Sequence, residues 1–128
     1  MKFLLDTHIL VWISTGDRRL SPVVRTMLSD VENEWFFSPA SIAEISLKHE
    51  KHPELVPFDG EAARSAFLSV GCSELPLTSE HCAAIDKMGA HHFDPIDRII
   101  LAQAKAEGMK LLSHDRQFPQ YGDFVISV

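Results

Sequence analysis

Four acidic residues stand where buried segments ordinarily carry apolar side chains. The chain opens KFLLDTHILVW, and its apolar run stops at Asp6 before Thr7 and His8. Asp97 precedes Ile100, Leu101 and Ala104 by three, four and seven positions. That spacing puts all four on one helix face, so Asp97 opens an apolar stripe. It also falls in a first helical turn, where the macrodipole favours negative charge. Glu44 has Ala40 and Leu47 at i−4 and i+3, again an apolar side. Asp115 lies two residues beyond the apolar run KLLS. Each acid alone has an ordinary explanation: Asp6 as a helix cap, Asp97 as a dipole partner, Asp115 as a turn residue, Glu44 as a solvated helix acid. Together they are the one evident catalytic set in the chain.

Clustered carboxylates repel and raise one another's pKa unless a positive charge stands between them. No lysine or arginine is obviously spaced to neutralise four acids. A hard divalent cation with oxygen ligands, Mg²⁺ or Mn²⁺, suits such a set. An ion of that kind activates water and stabilises charge on a phosphoryl group, which points to phosphodiester hydrolysis.

The elements that must position these acids alternate in type. KFLL, EWFFS, SELPL, MKLLS and FVISV read as strands, the continuous apolar ones as buried strands. Helices are predicted between them, with Ser21–Pro22 and Asp94–Pro95 as cap-and-proline starts and Gly16, Gly71 and Gly108 as stops. Alternation of this kind implies an α/β fold with a parallel sheet covered on both faces. Ligands of such sheets bind at the carboxyl ends of the strands. Asp6 and Asp115 both follow strands, so they share a crevice if those strands are neighbours.

Composition narrows the function classes. The 128 residues suit one domain, and 45% hydrophobic with 23% charged residues is ordinary for a globular chain. Eighteen acids against 12 bases give a net charge of −6. That argues against a protein whose main task is to coat nucleic acid, while leaving a nuclease open. Cys72 and Cys82 make neither a zinc pattern nor a disulfide framework, so a reducing cytoplasm is expected. The apolar run before Asp6 is too short for a signal peptide, and no stretch approaches the ~18 apolar residues of a membrane span.

Three motifs then carry a family resemblance: LLDTHILVW, SPASIAEISLK and FDPIDRIILAQAKAEGMKLLSHDRQF, in that order. The chain resembles PIN-domain proteins of the VapC-like toxin group along essentially its whole length. The first and last motifs are specific and the middle one is weak alone. The resemblance implies a single PIN domain over residues 1–128, with a parallel five-stranded sheet in the order 3-2-1-4-5 flanked by helices. It implies a Mg²⁺- or Mn²⁺-dependent endoribonuclease, the toxin component of a toxin–antitoxin pair. It also implies a homodimer, inhibited by a cognate antitoxin whose segment inserts near the acids.

Motif by motif, Asp6, Glu44, Asp97 and Asp115 match the family's four acids. Ser113 replaces the commoner threonine of the last motif and keeps a hydroxyl. Asp94 reads as a helix N-cap and not a ligand. The implied roles are direct metal ligation by Asp6 and Asp97. Glu44 and Asp115 would ligate through water, bind a second metal or orient the attacking water. Thr7 and Ser113 would hold the carboxylates, and Arg98 and Arg116 would reach substrate phosphates unless they are solvated surface arginines.

Other residues have blander readings. His49–His52 and His91–His92 lack a third ligand at a sensible spacing for zinc, although His91 and His92 lie near the expected site entrance. His8 reads as a helix-packing residue, and Cys82 as an idle thiol beside His81. Trp12, Trp35, Phe36 and Phe37 read as core or interface. Arg18, Arg19 and Arg25 are the one local basic concentration. Two other functions compete. A non-cutting PIN-like module that binds RNA or protein is opposed by acids at all four motif positions. A phosphoacceptor receiver domain needs an acid after the third strand, where Thr78 stands.

Overall fold

The computed structural model describes residues 1–89 and 94–128. His91 and His92 lie outside the described residues. Five strands form one sheet: β1 (Lys2–Leu5), β2 (Glu34–Phe37), β3 (Ser73–Glu74), β4 (Lys110–Ser113) and β5 (Val125–Ser127). Their order is β3-β2-β1-β4-β5, and every pairing is parallel. The α/β class expected from the alternation of elements and the 3-2-1-4-5 order implied by the family resemblance are both present. Strands β1 and β4 are neighbours, with Leu5 opposite Leu112. The chain reverses its direction of growth between them, the crevice where open α/β sheets bind ligands.

Six α-helices among the described residues cover the sheet: α1 (Thr7–Thr15), α2 (Pro22–Ser29), α3 (Pro39–Lys51), α4 (Gly60–Ser69), α5 (Ser79–Ala83) and α6 (Pro95–Glu107). Their covers explain the unbroken apolar strands. In β1, Phe3 and Leu5 join the core beneath α1, α2 and α4, while Leu4 joins the core beneath α6. In β4, Leu112 and Leu111 divide the same way. Side chains alternate across a strand, so a sheet buried on both faces needs apolar residues at every position. Leu4, Leu5, Leu111 and Leu112 are fully buried, each stabilising the fold by about 1.5–3 kcal/mol.

Helix ends follow the sequence signals. Ser21 caps α2 by accepting from Val24 N–H, with Pro22 in the first turn. Asp94 caps α6 by accepting from the N–H groups of Ile96 and Asp97. Gly108 ends α6 in the left-handed conformation at φ 64°, which glycine adopts without steric cost. Two elements are shorter than the sequence predicts. The SELPL strand is reduced to Ser73–Glu74, because Pro76 has no N–H to continue the ladder. The helical stretch between β3 and α6 is likewise broken, into α5 and a 3-10 turn at Ile85–Lys87. His81 accepts from Thr78 N–H through Nδ1 and reaches Glu107 at 2.7 Å through Nε2, so its ring joins α5 to α6.

Candidate active site

The cleft is built outward from the ends of β1 and β4. The N–H of Asp6 donates to Leu112 O at 3.0 Å, carrying the parallel pairing one residue past the strand. Its carboxylate is then held at both oxygens. Oδ1 accepts from Thr7 N–H at 2.7 Å, and Oδ2 accepts from the Ser113 hydroxyl at 2.8 Å. Ser113 Oγ in turn accepts from Asp115 N–H at 3.0 Å, linking the two acids that follow adjacent strands. Asp6 is therefore the cap of α1 and a cleft residue at once. It is 3% exposed. Burial pushes its carboxyl above the usual range; the Ser113 and Thr7 hydrogen bonds and His8 pull it down, while the charge of Glu44 adds to the upward push.

Among the described residues, Asp6, Glu44, Asp97 and Asp115 line one cleft of about 270 Å³ together with Asp94, Lys48, Thr7 and His8. Asp97 reaches it from the first turn of α6, and its stripe partners Ile100, Leu101 and Ala104 are fully buried. Asp115 is half-buried, and its Oδ1 also accepts from Gln117 N–H at 2.8 Å. It is a turn residue that faces the cleft. Glu44 comes from the middle of α3 and is buried.

Several expectations are corrected here. Glu44 does not share a buried side with Leu47, which is 62% exposed. The buried stripe of α3 is Ala40, Ser41, Glu44 and Ile45, one position round the helix. A lysine does stand among the acids: Lys48 Nζ lies 2.8 Å from Glu44 Oε2. Its signal was in the sequence, since residues four apart on a helix are neighbours. The hydrogen bond to Glu44, with the charges of Glu44, Asp94 and Asp97, holds the Lys48 ammonium above its ordinary pKa. The Thr7 hydroxyl donates to Ser41 Oγ at 2.9 Å, so Thr7 holds Asp6 through its backbone N–H and not its hydroxyl. Arg98 donates to the carbonyls of Gly89 at 2.7 Å and Ile85 at 3.0 Å. It braces the turn before α6 and does not line the cleft. Arg116 is exposed beside Asp115 and also lies off the cleft wall. His8 packs along its own helix, stacking on Trp12 at 6.2 Å, and its exposed ring also lines the cleft.

A divalent cation fits this wall in donor type, because oxygen ligands from carboxylates suit Mg²⁺ and Mn²⁺. Glu44 Oε1 supports the fit: it is buried and has no hydrogen-bond partner. Among the described residues no three His, Cys, Asp or Glu side chains are already gathered for ligation. The acids are placed round the cleft, with Asp6 clamped by its donors and Glu44 drawn to Lys48.

The fold and the cleft define a class: parallel α/β proteins with an acidic site at the switch point of the sheet. The chain belongs to the PIN domain family, whose model matches residues 3–123. No curated protein matches it in sequence. Solved structures share its fold. It is similar to a chain in the structure of VapBC2 from Rickettsia felis bound to a promoter DNA fragment, with a TM-score of 0.70 and 17% identity over 100% of this chain and 98% of that one. It is similar to a chain of FitAcB from Neisseria gonorrhoeae, with a TM-score of 0.62 and 18% identity over 98% and 96%. VapC20 of Mycobacterium tuberculosis, a sarcin–ricin loop cleaving toxin, has a TM-score of 0.58 and 19% identity over 95% and 92%.

Proposed function

We propose that this cleft is the active site of a metal-dependent endoribonuclease, the toxin half of a toxin–antitoxin pair. One observation carries the reading: four carboxylates from four separate parts of the chain line a single cleft at the β1–β4 switch point. A fold has little structural reason to bring them together, since like charges at close range are destabilising. A bound Mg²⁺ or Mn²⁺ would offset that repulsion, activate water and stabilise charge on the phosphoryl group.

Asp6 and Asp97 are the residues proposed to hold the ion directly. Asp6 suits the task because its two hydrogen bonds fix the carboxylate before any ligand arrives. Ser113 supplies one of those bonds, the kind of outer support that orients metal ligands. Glu44 and Asp115 are proposed to ligate through water or to orient the attacking water, which meets the phosphorus in line with the leaving oxygen. The match to toxin–antitoxin structures supports a cognate antitoxin as partner, and we propose a homodimer acting in the cytoplasm. Among the described residues no helix is long and apolar enough to cross a membrane.

The Lys48–Glu44 pair favours a second reading, a PIN-like module that binds RNA or protein without cutting, because a lysine already occupies one acid of the set. One experiment separates the two. Purified protein is expected to cut single-stranded RNA internally with Mg²⁺ or Mn²⁺, and EDTA is expected to stop it. Intact RNA after incubation with folded, metal-loaded protein that binds it would leave the binding module as the reading.

A further inference from the structure

The cleft holds five carboxylates, counting Asp94 with the four acids. One dication would leave its wall strongly negative, and RNA approaches as a polyanion. A protein cation at the cleft would offset that repulsion at the phosphate next to the scissile bond. Among the described residues lining it, Lys48 has the one side chain with a fixed positive charge. Of the nearby arginines, Arg116 is exposed and lies off the cleft wall, and two others are committed elsewhere. Arg98 donates to backbone carbonyls, while Arg19 makes a two-pronged pair with Asp17 and lies over the Trp12 ring.

Lys48 has the placement such a contact needs. It stands one turn past Glu44 on α3, with its ammonium on Glu44 Oε2. Its side chain remains 55% exposed, so the charge is open to solvent at the mouth. It also lines an adjoining groove of about 220 Å³ with Val11, Trp12, Leu55 and Phe58, and so sits where the acidic cleft opens into a less polar one. A lysine ammonium is a compact charge on a flexible stem, able to exchange one oxygen partner for another.

We infer that Lys48 is a substrate contact, whose ammonium passes from Glu44 to a non-bridging phosphate oxygen of the RNA backbone beside the scissile bond. This rests on the nuclease reading for its substrate, and its test is a binding measurement that does not require cleavage. A fluorescein-labelled, mixed-sequence RNA dodecamer is titrated with full-length protein. Ca²⁺ replaces Mg²⁺ to keep the strand intact, and anisotropy is followed between 50 and 200 mM KCl. Each phosphate contact to a single strand contributes about 0.7 to the steepness of log K against log salt. Lys48→Met is expected to weaken binding roughly five- to tenfold at 50 mM and to flatten that slope by about 0.7, with Lys48→Arg keeping the wild-type slope. Lys48→Gln serves as a second neutral variant, and equal melting temperatures check folding.

Wild-type affinity and slope in both neutral variants, while wild-type protein still cleaves RNA with Mg²⁺, would overturn the contact and leave the nuclease standing. Weaker binding with an unchanged slope would also overturn it, because a merely structural lysine does not alter the number of phosphates neutralised. A flattened slope in a protein that never cleaves would uphold the contact and defeat the nuclease reading. Wild-type protein that neither binds nor cleaves RNA would defeat both.

Discussion

Helices α3 and α6 are built alike and carry their acids differently. Each has 13 residues, each begins with proline after a capping side chain, and each delivers one carboxylate to the cleft. In α6, Asp97 lies in the first turn, where the exposed N–H groups and the dipole favour negative charge. In α3, Glu44 lies mid-helix, beyond the reach of the dipole, and its charge is balanced by Lys48 one turn on. A terminal acid can be stabilised by its own helix. An interior acid that is also buried needs a counter-charge, and here the same helix supplies it.

The largest effect is expected where the acid has the most direct proposed role. Asp97→Asn should cut RNA cleavage by about 10³-fold or more with the fold intact, whereas Glu44→Gln should lose roughly 10- to 100-fold. Kinetics on one RNA oligomer at saturating Mg²⁺ would check the pair. Equal losses would break the distinction between the two helices. Next, Ser113→Ala removes a hydrogen bond from Asp6 Oδ2 and an acceptor from Asp115 N–H. It should weaken Mn²⁺ binding by roughly tenfold, as read by calorimetry.

The helices also differ in how they are supported. Gly60 starts α4 against α3, and a Cβ there would collide with Ser46 Oγ and crowd Ser46 Cβ. Gly60→Ala should cost about 1–3 kcal/mol through overpacking, read as a lower denaturation midpoint, unless Ser46 rotates away. The smallest effect concerns Asp6. Its raised folded pKa means that the folded state holds the proton more tightly than the unfolded one. Stability from this residue is therefore greatest at acidic pH and is lost as pH rises through the folded value. In EDTA near neutral pH, Asp6→Asn should raise Tm, as read in a thermal melt. A lower Tm would mean that the hydrogen bonds to the carboxylate outweigh its burial.

Much of this was legible in the chain itself. Runs such as KFLL and KLLS specify strands buried on both faces, because alternate side chains must enter both cores. Ser21–Pro22, Asp94–Pro95 and Gly108 mark helix ends through backbone chemistry that is local and so visible in sequence. The Asp97 stripe was readable because one helix face has a fixed period. Tertiary structure decided the rest. The adjacency of β1 and β4 rests on contacts across more than a hundred residues, and it turns Asp6, Ser113 and Asp115 into one hydrogen-bonded group. The buried side of α3 is not readable from Leu47, because helical spacing says which residues share a face but not which face meets the core. Lys48 is the sharpest case. Its spacing from Glu44 is local, but its place among acids from α6 exists only once α3 and α6 pack together.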